Sequence, residues 1–115
     1  MQPKHIYPEY ALILTYNVRL GTQERYFRYI TGELYPALER RELYMQNAWL
    51  IVYGQQPQRQ IEFIAERLDP IRDLLDDPEW ERLENRLKEY TEDYERHVIR
   101  YRHHVKILRL NYSSN

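Results

Sequence analysis

The chain has no cysteine, so it can form neither a disulfide nor a thiolate metal site, and a reducing cytoplasmic setting fits that composition. Glycine is nearly as scarce: three isolated glycines in 115 residues supply neither a phosphate-cradling loop nor a nucleophile elbow. Nucleotide binding and serine-type hydrolysis are therefore not expected. Charge of one sign is also missing, since 17 Lys and Arg against 18 Asp and Glu leave a formal net charge of -1. That balance gives no general attraction to nucleic acid or to an anionic membrane. No run of about 18 apolar residues occurs, and Met1 to Tyr10 has no apolar core of a secretion signal, so no membrane association is expected.

What remains is the composition of one globular domain, 43% hydrophobic and 30% charged, with a mean hydropathy of -0.85 that implies long solvated helix faces. Twelve tyrosines against two phenylalanines and two tryptophans place hydroxyls at many packed positions, where buried phenols need partners. Core and interface packing is the expected use of these tyrosines, ahead of a tyrosine-lined ligand pocket.

Tyr10 to Leu20 alternates as a first strand, and Gly21-Thr22 then ends it and offers a helix N-cap. Phe27, Ile30, Leu34 and Leu38 recur at helical spacing to about Arg41, with a kink expected where the Pro36 ring meets the Gly32 carbonyl. Leu43 to Tyr53 is apolar on both faces and predicts a covered strand, Gly54 to Arg59 a hairpin connection, and Gln60 to Leu68 a third strand. Asp69-Pro70 and Asp77-Pro78 each pair a capping residue with a proline suited to the first helical turn. They predict a short helix at about Pro70 to Leu75 and then a long one. Trp80, Leu83, Leu87, Tyr90, Tyr94, Val98 and Tyr101 lie at spacings of three and four, as one stripe of that long helix. His103 to Leu110 alternates as a fourth strand. The division is an N-terminal arm over 1–9, one domain over 10–110 and a C-terminal tail over 111–115.

Strand, helix, strand, strand, helix, strand is the order of a ferredoxin-like α+β unit, with a four-stranded antiparallel sheet and both helices on one face. The other face, roughly 350 Å² in projection from the spacing and rise of strands, is expected to be uncovered and apolar enough to pair with a second copy. Tyr16-Asn17-Val18-Arg19-Leu20-Gly21, Glu33-Leu34-Tyr35-Pro36 and Leu74-Leu75-Asp76-Asp77-Pro78-Glu79-Trp80 resemble segments of the dimeric α/β-barrel superfamily, in its NIPSNAP and antibiotic-biosynthesis-monooxygenase branches. The resemblance implies a homodimeric barrel. It also implies that any site lies between sheet and helices, where some relatives are cofactor-independent oxygenases or haem-degrading enzymes.

By that resemblance Asn17 and Trp80 stand where polar and aromatic site residues are found. No histidine follows Trp80 before His97, so no haem ligand and no cofactor is expected. Antiparallel pairing suggests a second constellation, Asn17, Arg19, Glu62 and His103 or His104 at one end of the barrel, able to orient an anionic or carbonyl-bearing ligand. Ordinary charge pairing at a strand end is the simpler reading. Adjacent strand positions send His103 and His104 to opposite faces, and Asp93 with His97 on a helix is too small a set for a metal. The leading expectation is a homodimer that binds a small molecule between sheet and helices. The alternatives are a cofactor-independent monooxygenase and a structural protein-interaction module.

Overall fold

The computed structural model describes residues 7–53, 56–102 and 105–106, with side chains over 7–46 and 58–101. The strands are β1 (Tyr10–Val18), β2 (Tyr44–Tyr53), β3 (Gln56–Ala65), β4 (Thr91–Arg102) and the two-residue β5 (Val105–Lys106). The helices are α1 (Gln23–Tyr29), α2 (Tyr35–Glu39), α3 (Asp69–Leu75) and α4 (Pro78–Glu89). All pairings are antiparallel, in the order β2-β3-β1-β4-β5, so β1 is central and is bonded on both sides. This is the expected α+β, ferredoxin-like arrangement. Among the described residues no helix is long and apolar enough to cross a membrane.

Alternation along β1 divides the core in two. Leu12, Leu14 and Tyr16 face the helices and join Leu34, Leu38, Phe63, Leu74, Trp80, Leu83 and Leu87, whereas Ala11 and Ile13 face away and join Ile64, Ile99 and Tyr101. Each Leu or Ile removed from water in this way contributes about 1.5–3 kcal/mol. The second face was expected to be bare. In a single chain it is instead already buried, down to the Glu62 carboxylate at 0% exposure.

The largest departure from expectation is where the long helix ends. α4 stops at Glu89, and Thr91–Arg102, expected to continue it, is the strand paired with β1. The stripe misleads because Tyr90, Tyr94 and Val98 are four apart, a spacing shared by a helix face and by one side of a strand. Ile99 and Tyr101 on the opposite side settle the period as two. The predicted strand His103 to Leu110 lies almost wholly outside the described residues. β3 also begins earlier than expected, so that Arg59 is a strand residue opposite Tyr16 and not part of the connection.

The expected kink in the first helical region is a π turn, Ile30–Leu34, set between α1 and α2. Pro36 has no N–H, and its ring would press on the Gly32 carbonyl in a regular helix. Widening the preceding turn, with the Tyr35 N–H reaching back to the Ile30 carbonyl, relieves that contact. The Asp77 cap is present as expected, its Oδ1 accepting from the Glu79 N–H at 2.7 Å. Thr22 is the N-cap of α1, but its hydroxyl donates to the Arg19 carbonyl at 2.8 Å and makes no side-chain cap, and Asp69 lies inside α3, whose N-cap is Leu68.

Arg41, just past α2, clamps the α4 cap through Asp77 at 2.9 Å and Glu79 at 3.0 Å. The Glu79 N–H, and then Arg41, hold the Asp77 carboxyl below its ordinary value. A depressed folded-state pKa gives stability that is present above the unfolded value of about 3.9 and is lost as pH falls through the folded one. Asp77→Asn keeps a capping side chain and removes the titration. Urea midpoints of wild type and variant should therefore differ at neutral pH and converge as pH falls through the lowered folded-state value; a gap that stays constant with pH would refute this role for Asp77.

Candidate functional site

The residues singled out in the sequence do not form one site. Asn17 and Arg19 lie at the end of β1, where a bulge in the pairing with β4 puts Asp93 at a φ of 56°. Asn17 Nδ2 donates to Asp93 Oδ2 at 3.1 Å, and Arg19 pairs with Glu92 at 3.0 Å, with both charged side chains about half exposed. This is the strand-end charge pairing anticipated as the simpler reading, and such exposed pairs contribute little. Glu62 is opposite Ile13, four residues back along β1, or roughly 13 Å at the strand rise. It accepts a hydrogen bond from the Tyr101 phenol on the second face. His103 and His104 lie outside the described residues.

Trp80 is a buried member of the helical core, as its place in the apolar stripe implies, and its indole N–H has no partner among the described residues. Asn17 stands between Tyr16 and Val18, both packed toward the helices, so strand alternation sends it to the opposite side of the sheet from Trp80. That separation removes the pairing on which the monooxygenase alternative depends. His97 is on β4 opposite Ile13, with its Nε2 3.2 Å from Glu95, and is not at a helix end. Asp93 and His97 are four strand residues apart and cannot share a metal ion; among the described residues no group of potential ligands is assembled.

A different set of residues does converge, between sheet and helices. Arg59, Ile61, Phe63 and Ala65 alternate along the helical side of β3, and Arg59 therefore continues an apolar column with a guanidinium. It sits 5.5 Å from the centre of the Tyr26 ring. Tyr26 comes from α1, and its hydroxyl is 2.6 Å from that of Tyr16 on β1. The two rings meet edge to face at 5.7 Å, and Tyr94 stacks against Tyr16 at 6.4 Å. Tyr35, the first residue after the π turn, packs edge-on against Phe63. Tyr26, Phe27, Ile30 and Tyr35, with Arg59, Gln60 and Ile61 of β3, thereby line a hollow of about 100 Å³. A larger groove of about 450 Å³ over α4 is open and lined by charges of both signs, including Glu33, Arg82, Arg86 and Glu89.

The electrostatics of the smaller hollow are uneven. Loss of water raises the Tyr16, Tyr26 and Tyr35 phenols above their ordinary value, so all three stay protonated at any physiological pH. All 18 carboxylate side chains of the protein are among the described residues, and none forms an ion pair with Arg59. The only other partly buried arginine whose side chain is described, Arg41, has two. The site thus offers a cation and hydroxyls but no opposing charge.

Solved structures share the fold of this chain. A NIPSNAP family protein from Agrobacterium tumefaciens superposes with a TM-score of 0.61 over 89% of this chain and 93% of its own, at 16% identity. A second A. tumefaciens NIPSNAP family protein, of unknown function, gives 0.59 over 84% and 91%, also at 16% identity. The fold is the NIPSNAP fold. An uncharacterised NIPSNAP domain protein from Burkholderia xenovorans agrees, with a TM-score of 0.56 over 82% and 95% at 15% identity. No protein-family model and no curated protein matches the chain. At such identities the NIPSNAP likeness extends to architecture and leaves the use of the site to its own chemistry.

The family resemblance implied that any site lies between sheet and helices, where this hollow is, but Arg59, Tyr26 and Tyr35 were not among the expected residues. The available signal was the period-two column ending in Arg59, hidden by starting the strand at Gln60. The phenol pair gives an asymmetric prediction. Tyr26→Phe leaves the fully buried Tyr16 hydroxyl without its partner and should cost about 1–3 kcal/mol of unfolding free energy. Tyr16→Phe leaves Tyr26, a residue that lines the hollow, where water has room to enter, and should cost about 1 kcal/mol or less. Chemical denaturation measures both, and a reversed order would contradict the burial argument.

Proposed function

We propose that this protein binds a small molecule between its sheet and its helices, in the hollow under α1 and the π turn, and that it works in the cytoplasm as a homodimer. One observation carries the ligand reading: hydrogen-bond donors and a guanidinium converge on a lined hollow with no carboxylate to answer them. Burying a charge without a partner is costly, and a fold keeps such a group where something else supplies the counterpart. The π turn supports the same reading. It inserts an extra backbone step just before Tyr35, and such turns are frequent at functional sites.

The homodimer was expected from an uncovered second face. Ile13, Ile99 and Glu62 are already sheltered in one chain, so pairing there removes little more of these residues from water. Light scattering on the purified chain should give twice 14.4 kDa; a mass of 14.4 kDa removes the dimer and leaves the ligand reading intact. The ligand reading is tested by amide-resolved NMR against a panel of neutral, anionic and cationic monocyclic compounds. At least one should shift the resonances of Tyr26, Tyr35, Arg59 and Ile61 together, and a panel that leaves all four unmoved would reject the hollow as a binding site.

A further inference from the structure

We infer that the ligand class of this hollow is a small monocarboxylate with a flat apolar body, its carboxylate held by Arg59 and the Tyr26 hydroxyl. The inference rests on the hollow being a ligand site and adds the chemistry of what enters it.

The charge follows from what the site contains. A guanidinium is a planar fork of N–H donors that matches a carboxylate with two parallel hydrogen bonds. Arg59 is partly buried, and none of the protein's carboxylate side chains, all of them among the described residues, pairs with it. Its guanidinium lies over the face of the Tyr26 ring, which offsets part of the charge and satisfies none of the fork.

The second donor follows from counting hydrogens. Two hydroxyls in contact, those of Tyr16 and Tyr26, share one hydrogen and leave another over. Tyr16 is fully buried in the helical core, whereas Tyr26 lines the hollow. With Tyr16 donating to Tyr26, the spare hydrogen belongs to Tyr26, which makes no other side-chain hydrogen bond among the described residues and can give it to an acceptor in the hollow. Both protein groups are then donors, and a carboxylate brings two acceptor oxygens and the missing negative charge. One guanidinium balances one charge, which favours a monoacid over a diacid or a phosphate dianion.

The apolar body follows from the remaining walls. Phe27, Ile30, Tyr35 and Ile61 present rings and aliphatic carbon, the neutral Gln60 completes the lining between Arg59 and Ile61, and Phe27 is 65% exposed. A volume of about 100 Å³ is well below the roughly 300–1,000 Å³ of a drug-sized site, so the ligand is of single-ring or short-chain size.

The test compares benzoate with benzamide, nearly equal in shape and different in charge, by NMR titration of the full chain. Benzoate should shift Tyr26, Arg59 and Ile61 and bind about tenfold or more tightly than benzamide, the scale expected of charge-assisted hydrogen bonds. Arg59→Gln should erase that preference, while Arg59→Lys keeps the charge without the fork and should retain part of it. Equal binding of the two compounds at these residues would overturn the acid inference and leave the hollow a ligand site. So would an unchanged preference in Arg59→Gln with a wild-type spectrum elsewhere. If neither compound moves the three residues the acid inference also falls, and the broader compound panel then decides separately whether the hollow binds anything.

Discussion

The hydroxyl of Tyr16 is the constraint around which this molecule is arranged. Tyr16 is on β1, the strand paired on both sides, and it points into the helical core with no exposure to water. A phenol in that position must find a polar partner or cost the fold its desolvation. The partner is Tyr26, and the 2.6 Å contact fixes where α1 lies over the sheet. Once α1 is placed, the π turn and Tyr35 follow at its end, and the helices close over Ile61, Phe63 and Ala65 of β3 but not over Arg59. The hollow results from satisfying one buried hydroxyl.

The same strand explains why the two sides of the sheet differ. Its even-numbered residues meet helices that lock leucines and aromatic rings together, and its odd-numbered ones meet a smaller cluster containing a buried carboxylate, Glu62, held by Tyr101. Charged residues otherwise collect at edges and caps, where Arg41 ties α2 to α4 and Arg19 ties the turn after β1 to β4. In all these places a carboxylate faces a donor. Arg59 departs from that pattern beneath the helices, and local rules broken without compensation are characteristic of functional positions.

How far the fold could be read from the sequence depended on whether its periods were distinct. β1 and the Asp77-Pro78 cap were legible because alternation and capping chemistry each have one interpretation. The junction at Tyr90 was not, since Tyr90, Tyr94 and Val98 at intervals of four satisfy helix and strand alike. The candidate site was legible only in its layer. Asn17, Arg19 and Glu62 attract attention as polar residues near strand ends, yet pairing register puts them on local partners. Arg59 and Tyr26 are 33 positions apart and meet only because β3 lies beside β1 and α1 crosses above them both, a relation no local pattern encodes.

The account stands on Arg59 being kept for a ligand at the expense of the empty fold. Replacing it with methionine preserves an unbranched stem that can pack on Tyr26 and removes the unanswered charge. Equilibrium unfolding of ligand-free Arg59→Met against wild type measures the consequence directly. If the charge is uncompensated, the variant should be as stable as wild type or more so, as when buried ion groups give way to apolar side chains of similar volume. A loss of more than about 1 kcal/mol would show that Arg59 holds the structure together and would contradict the account.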